Sequence, residues 1–108
     1  MKHFEMKHSL KVIVPVKDND GVSLENQIET LRISLAERYG GSTLYTGVHG
    51  LWMNDEHEPM NDENVIIESF SDEPIKDVIV EIIAEYVIKE CRQMAASLII
   101  DGVMRIYS

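Results

Sequence analysis

The stretch from residue 39 to residue 70 constrains the fold of this 108-residue chain more than any other segment. It contains Gly40-Gly41, a pair that ends helices because glycine adopts positive φ at little steric cost. A β-rich segment at about residues 43–53 follows, and a second at about residues 64–71 comes after a polar loop. The sequence therefore predicts a helix followed by two strands that are joined by this loop.

Gly47 and Gly50 interrupt the first of these strands, which ends near Trp52, the only tryptophan. Glycine weakens a strand unless the backbone forms a bulge, a bend or a close approach to another chain. We therefore expect one of these features here. Regular alternation would place Gly50 and Trp52 on one face of the strand, and Tyr45 and His49 on the other.

The residues before this stretch predict one more strand and one helix. Residues 9–17 show a period-two alternation that is typical of a strand with one face on a core. Ser23 is the expected N-cap of a helix that continues to about Tyr39, since apolar residues recur at helical spacing between them.

The residues after it predict a second helix and a last strand. Pro74 lies near the favoured first position of a helix that continues to about Ala96. The last strand covers residues 98–107 and contains Asp101-Gly102, which is either a tight hairpin or a bulge in one long strand.

The order of these elements is β-α-β-β-α-β, which predicts an α+β fold of the ferredoxin-like type. In this arrangement two helices cover one face of a four-stranded antiparallel sheet. We expect residues 1–108 to form a single domain, with residues 1–8 as a flexible N-terminus.

Composition excludes several classes of function and location. Cys91 is the single cysteine and has no partner within the chain, so it is expected to be a small buried hydrophobe in a reducing compartment. The N-terminus lacks the apolar run of a signal peptide, which indicates a cytoplasmic protein. A net charge of -9 repels phosphates and anionic lipids, so neither nucleic acid nor a membrane surface is an expected partner.

An acidic loop, here called the interaction loop, is expected between the two paired strands. Its carboxylates could suit a hard cation, but the spacing is not that of an EF-hand, and a solvated loop is the favoured interpretation. We therefore expect no metal and no cofactor. The residues assigned to this loop are Asp55, Glu56, His57, Glu58, Asp62 and Glu63.

No spacing in the chain matches a catalytic motif, so no catalytic residue is assigned. Glu68 lies between Ile66 and Phe70 on one strand face, and a carboxylate buried there would be a candidate for ligand binding. The alternative is an ion pair with Lys11 or Lys17 on a neighbouring strand, or simple exposure. The candidate ligand-binding residues are Glu68, His49, Trp52 and Tyr45.

The second helix is unusually apolar, and two explanations for this remain open. It is either a well-buried helix or a subunit interface. The far face of the sheet also lacks a covering layer in the predicted fold, so we expect a homodimer or a higher homo-oligomer. The residues that widen the apolar stripe of the helix are Val80, Ala84, Ile88 and Cys91.

Short motifs in the chain resemble those of a loose group of small uncharacterised bacterial, plasmid and phage proteins. The shared features are Gly40-Gly41-Ser42-Thr43, the Gly-x-Trp strand at residues 50–52, and an acid before the apolar strand at residues 65–68. The resemblance implies a ferredoxin-like βαββαβ fold and a phage or plasmid accessory role, with no activity to carry over. The chain departs from the group in its acidic loop, which lacks the usual glycine.

These observations favour a non-enzymatic binding protein, a phage or mobile-element accessory factor that binds a host protein or a small ligand. The negative charge favours a partner protein with a basic surface. The alternative is a small enzyme or ligand-binding protein, with a pocket at the open sheet face or the subunit interface. That pocket would use Glu68, His49 and Trp52.

Overall fold

The computed structural model describes residues 1–108, and regular secondary structure begins at His8. The elements in chain order are β1 (His8–Pro15), α1 (Glu25–Tyr39), β2 (Thr43–Met53), β3 (Pro59–Ser71), α2 (Asp77–Glu90), β4 (Ala96–Ile100) and β5 (Val103–Tyr107). No helix is both long enough and apolar enough to cross a membrane.

The strands form one antiparallel sheet of five strands in the order β2-β3-β1-β4-β5. The predicted α+β class with two helices is confirmed, whereas the prediction of four strands is wrong. The chain reverses at Asp101-Gly102, whose φ angles of 51° and 80° suit a two-residue hairpin turn. The fold is thus close to, but not identical with, the predicted ferredoxin-like arrangement.

One hydrophobic core of 18 residues lies between the helices and one face of the sheet. Alternate residues of the central strands face it, among them Val12 of β1, Ile67 of β3 and Leu98 of β4, each with no exposed surface. Both helices contribute to the same cluster, so both lie on one side of the sheet. The opposite face of the sheet has no covering layer from this chain.

The apolar stripe of α2 packs into the core of its own chain. Val80, Ala84 and Cys91 are buried in the core, and Ile88 is half-buried against it. The interpretation of α2 as a well-buried helix is therefore confirmed for these residues, and they no longer argue for a subunit interface. Burial raises the pKa of the Cys91 thiol to about 11, so this side chain stays protonated and behaves as a small hydrophobe.

Several helix ends differ from the predictions. Gly40 ends α1 in the left-handed conformation with φ of 87°, as predicted. Leu24 occupies the N-cap position instead of Ser23, whose Oγ accepts a hydrogen bond from the Glu25 N–H at 3.2 Å. The helix α2 begins after Pro74, at Asp77, and ends at Glu90 instead of near residue 96.

The early end of α2 coincides with a contact from the other end of the chain. Arg92 has a left-handed φ of 54°, and its Nε donates a hydrogen bond to Asp18 Oδ2 at 2.6 Å. The other carboxylate oxygen of Asp18 accepts hydrogen bonds from the N–H groups of Asp20 and Val22 at 2.9 and 2.8 Å. The Val22 N–H and the Arg92 guanidinium are the main causes that hold the pKa of Asp18 below its ordinary value of 3.8.

This contact predicts a pH-dependent stability difference for Asp18→Asn. Because the pKa of Asp18 is lowered in the folded chain, its ionised form stabilises the fold above the ordinary value of 3.8, and that contribution is lost as the pH falls through the folded pKa. Urea unfolding of both proteins should give a free-energy difference that is largest near neutral pH and shrinks in acid. Asp20→Asn is the matched control, and a difference of constant size down to the acid limit would contradict this role of Asp18.

The hairpin of β2 and β3 is longer than predicted. β3 begins at Pro59, and the turn contains only residues 54–58, so Asp62 and Glu63 of the interaction loop lie in a strand. Residues 59–63 are exposed, which explains why they lack the apolar alternation of a core strand. The expected backbone feature is a β-bulge, since the register shifts between Tyr45 and Val48 and Gly47 has φ of 66°.

Candidate ligand site on the open face of the sheet

The sheet face opposite the helices, here called the open face, carries a mixed apolar and polar surface. Many of its large side chains are partly exposed, and they come from the edge strands as well as from β3. The exposed large apolar residues on this face are Tyr45, Trp52, Met60, Phe70, Met104 and Ile106. An uncovered surface of this kind is typical of a binding site or an interface.

The bulge in β2 decides which of its side chains reach the open face. Before the bulge Tyr45 is paired with Ile66, and after it Trp52 is paired with Met60, so the extra residue places both on the open face. His49 is paired with Glu63 on the opposite face. The predicted alternation is therefore wrong across the bulge, and His49 does not join Tyr45 and Trp52.

Glu68 lies at the centre of the polar part of the open face. It is only 7% exposed. The Tyr45 hydroxyl donates a hydrogen bond to Glu68 Oε1 at 2.8 Å, and Lys11 Nζ lies 3.7 Å from Oε2. The ion pair with Lys11 that the sequence offered as an alternative is thus present, and it combines with burial of the carboxylate.

Tyr45 is held as a hydrogen-bond donor by this arrangement. The hydrogen bond to Glu68 raises the pKa of the Tyr45 phenol, because loss of its proton would remove the bond and place a second negative charge beside the carboxylate. The phenol therefore stays protonated at neutral pH. Together, Tyr45 and Lys11 fix the position of a carboxylate that faces an apolar surface.

Two cavities open on this face. One, here called the Glu68 pocket, has a volume of about 460 Å³ and is bounded by Glu68, Thr43, Phe70 and the N-terminal residues Phe4 and Met6. The other, here called the Trp52 cleft, has a volume of about 600 Å³ and lies at the opposite end of β3. Both volumes fall in the range of small-molecule sites.

The Trp52 cleft contains polar side chains that the sequence did not single out as ligand-binding residues. Asp62 and Asn64 of β3 line it together with Trp52. The sequence predicts Asp62 in the interaction loop and Asn64 at the start of a strand. Asp62, Asn64 and Glu68 are separated by even intervals along β3 and therefore share a face, but the sequence predicts the start of this strand only near residue 64 and so leaves Asp62 outside it.

The remaining predicted site residues do not join this site. His57 lies in the hairpin turn with φ of 60°, and Asn54 Oδ1 accepts hydrogen bonds from the N–H groups of Glu56 and Glu58, both at 2.9 Å. The turn residues of the interaction loop are exposed, at the tip of the β2–β3 hairpin. No cluster of at least three His, Cys, Asp or Glu side chains is arranged to hold a metal ion.

No protein-family model matches the chain, and no curated protein matches it in sequence. The fold is similar to the structure of a phage SAM lyase in complex with S-methyl-5'-thioadenosine, with a TM-score of 0.67 and 14% identity over 99% of this chain and 92% of that chain. The apo structure of a phage SAM lyase is similar with a TM-score of 0.63 and 13% identity over the same shares of the two chains. At this identity the likeness shows a shared fold.

These neighbours contradict the prediction of a non-enzymatic binding protein, because the proteins that share this fold over nearly its whole length are enzymes. They favour the alternative that the sequence left open, a small enzyme or ligand-binding protein with a site on the open sheet face. Glu68 and Trp52, named for that alternative, both lie on this face, whereas His49 does not.

Proposed function

We propose that this protein is an enzyme that cleaves S-adenosylmethionine and releases S-methyl-5'-thioadenosine. The observation that carries the proposal is the match of almost the entire chain to a phage SAM lyase. The buried Glu68 on the open face supports it, since an oriented carboxylate beside an apolar surface suits a small cationic substrate.

This cleavage requires neither a nucleophile from the protein nor a water molecule. The bond between the sulfonium sulfur and the γ-carbon breaks, the bonding pair goes to sulfur, and a neutral thioether leaves. In the same step the carboxylate oxygen of the substrate forms a bond to that carbon, which closes a lactone and consumes no water. The positive charge of the sulfonium and the negative charge of the substrate carboxylate are both lost in this step, so an apolar surface that excludes water favours it.

The polar residues of the open face fit a binding role in this reaction. Glu68 attracts the positively charged ammonium group of the substrate, while Tyr45 and Lys11 hold the Glu68 carboxylate in position. Ile66 and Ile13 lie on the same face between Glu68 and the Trp52 cleft and provide an apolar floor. The net charge of -9 favours approach of a cation.

The test of this proposal is to incubate the purified protein with S-adenosylmethionine and to identify the products by mass spectrometry. S-methyl-5'-thioadenosine is the product expected from a lyase. S-adenosylhomocysteine would instead indicate methyl transfer, and an unchanged substrate that nevertheless binds would indicate a ligand-binding protein.

We further propose that two copies associate through the open face and so cover the site. Met104 and Ile106 on β5 are 51% and 69% exposed, although they are large apolar residues of one continuous sheet face. A stable interface buries about 800 Å² on each partner, and these exposed residues extend the apolar part of the open face. The contact would lie on the sheet, since α2 uses its apolar stripe within the chain.

The variant Ile106→Glu is expected to convert the protein to monomers. Its side chain is exposed, so the folded chain should tolerate the charge, whereas a charge buried in an apolar interface is strongly unfavourable. Light scattering on the two proteins measures this directly, with Ile33→Glu on the exposed side of α1 as the control. A monomeric unmodified protein at micromolar concentration would contradict the proposed contact.

A further inference from the structure

We infer that the Trp52 cleft holds the nucleoside end of the ligand, with Asp62 accepting hydrogen bonds from both ribose hydroxyls and Trp52 stacking on the base. This assignment rests on the proposed function and adds to it a second subsite, separate from the Glu68 pocket. It gives the open face an order, with the adenosine at one end and the charged amino-acid group at the other.

The first observation is a pair of polar side chains in the cleft that make no hydrogen bond within the chain. Asn64 lines the cleft and is only 7% exposed. The side-chain hydrogen bonds of β3 are made by Met60, Glu68, Ser69 and Ser71, and none is made by Asn64 or Asp62. Both side chains are therefore free to bond a ligand, and their polar atoms stay accessible from the cleft, since the one enclosed side-chain polar atom without a partner is Arg32 Nε.

The second observation is the glycine beneath these two side chains. A Cβ atom at Gly50 would lie 2.5 Å from Asp62 Oδ1 and 3.1 Å from Asn64 Nδ2. Glycine therefore leaves the space across β2 that these two side chains occupy. The result is a carboxylate, which only accepts hydrogen bonds, next to an amide that both donates and accepts.

This pair fits the chemistry of a ribose. Two neighbouring hydroxyls present two donors, and a carboxylate with two free oxygens accepts both in charge-assisted hydrogen bonds. Trp52 is 53% exposed and lies next to this pair, where its ring can stack on a purine. The volume of about 600 Å³ leaves room for the whole nucleoside.

The spacing along β3 connects the two subsites. Asp62 and Glu68 are six residues apart on the same face, a separation of about 20 Å at the rise of a strand, with Asn64 and Ile66 between them. A nucleoside in the Trp52 cleft therefore directs its 5' substituent along Ile66 toward the Glu68 carboxylate.

The test measures binding by calorimetry, with S-methyl-5'-thioadenosine and its 2'-deoxy counterpart as probes. The unmodified protein should bind the 2'-deoxy compound about tenfold more weakly, because one hydrogen bond to a charged group is lost. In Asp62→Asn this preference should shrink to about twofold or less, because a neutral amide replaces the carboxylate. Trp52→Ala should weaken both probes about equally, and Asp55→Asn in the exposed turn is the matched control.

The outcomes separate this inference from the proposed function. If the unmodified protein binds neither probe and does not cleave S-adenosylmethionine, both are wrong. If it binds the probes but Asp62→Asn keeps the full preference for the 2'-hydroxyl, the nucleoside lies elsewhere while the proposed activity stands. Circular dichroism of each variant confirms that the changes leave the fold intact.

Discussion

Replacement of Glu68 by glutamine is expected to lower the rate of S-adenosylmethionine cleavage about 100-fold or more. Glutamine has nearly the same shape and still accepts the hydrogen bond from Tyr45, but it carries no charge to attract the cationic end of the substrate. The fold should persist, since Lys11, the partner of the lost charge, is 39% exposed and can turn to water. Initial rates of S-methyl-5'-thioadenosine release measure the effect.

The matched control for this variant is Glu81→Gln, which removes the same charge from the exposed surface of α2. It should retain the rate of the unmodified protein, because the two variants share the same net charge and differ only in position. If Glu68→Gln retained its activity while it remained folded, Glu68 would have no role in the reaction, and the site would have to be sought elsewhere on the chain.

Replacement of Leu98 by alanine is expected to lower the free energy of unfolding by about 2–5 kcal/mol. Leu98 has no exposed surface and lies on β4 opposite Val12, in the centre of the only hydrophobic core. The variant loses the transfer free energy of the removed atoms and leaves a cavity. The backbone of β4 cannot move to close this cavity, because it is hydrogen-bonded to β1 on one side and to β5 on the other. Urea denaturation followed by circular dichroism gives the value.

Ile33→Ala is the control for this substitution because Ile33 is 51% exposed on α1 and makes no contribution to the core. A surface change of this kind usually alters stability by less than about 0.5 kcal/mol. A loss of similar size in both variants would mean that the core between the helices and the sheet is not the main source of stability.

Most of the secondary structure could be predicted from periodicity, and the errors have physical causes. The end of α2 coincides with the contact between Arg92 and Asp18, which joins residues 74 positions apart and leaves no local signal. The start of β3 was missed because its first residues are exposed and therefore lack apolar alternation. Asp101-Gly102 was compatible with a hairpin or a bulge, and only the fifth strand decides between them.

The candidate site could be predicted only in part. Glu68, Tyr45 and Trp52 were named from the sequence and lie on one face, but the bulge at Gly47 changes which residues of β2 accompany them. The same bulge removes His49 from that face. The convergence of Asp62 and Asn64 over Gly50 depends on register, which no local pattern reveals.

The proposed function could not be predicted from motifs, because its reaction needs no metal cluster and no nucleophile with a fixed spacing. At the amino-acid end of the substrate, the proposed reaction needs only one protein carboxylate on an apolar sheet face. A feature of this kind gives no recognisable sequence pattern, and the sequence alone therefore favours a binding protein. The proposed activity is drawn from the similarity of the fold to that of a phage SAM lyase.

The measurement that tests the central claim most directly is the mass-spectrometric identification of products after the protein is incubated with S-adenosylmethionine. The proposed lyase activity predicts S-methyl-5'-thioadenosine in proportion to enzyme and time, together with the lactone of the remaining four-carbon fragment and no S-adenosylhomocysteine. Intact S-adenosylmethionine after prolonged incubation with folded protein, in its native oligomeric state, would contradict the claim.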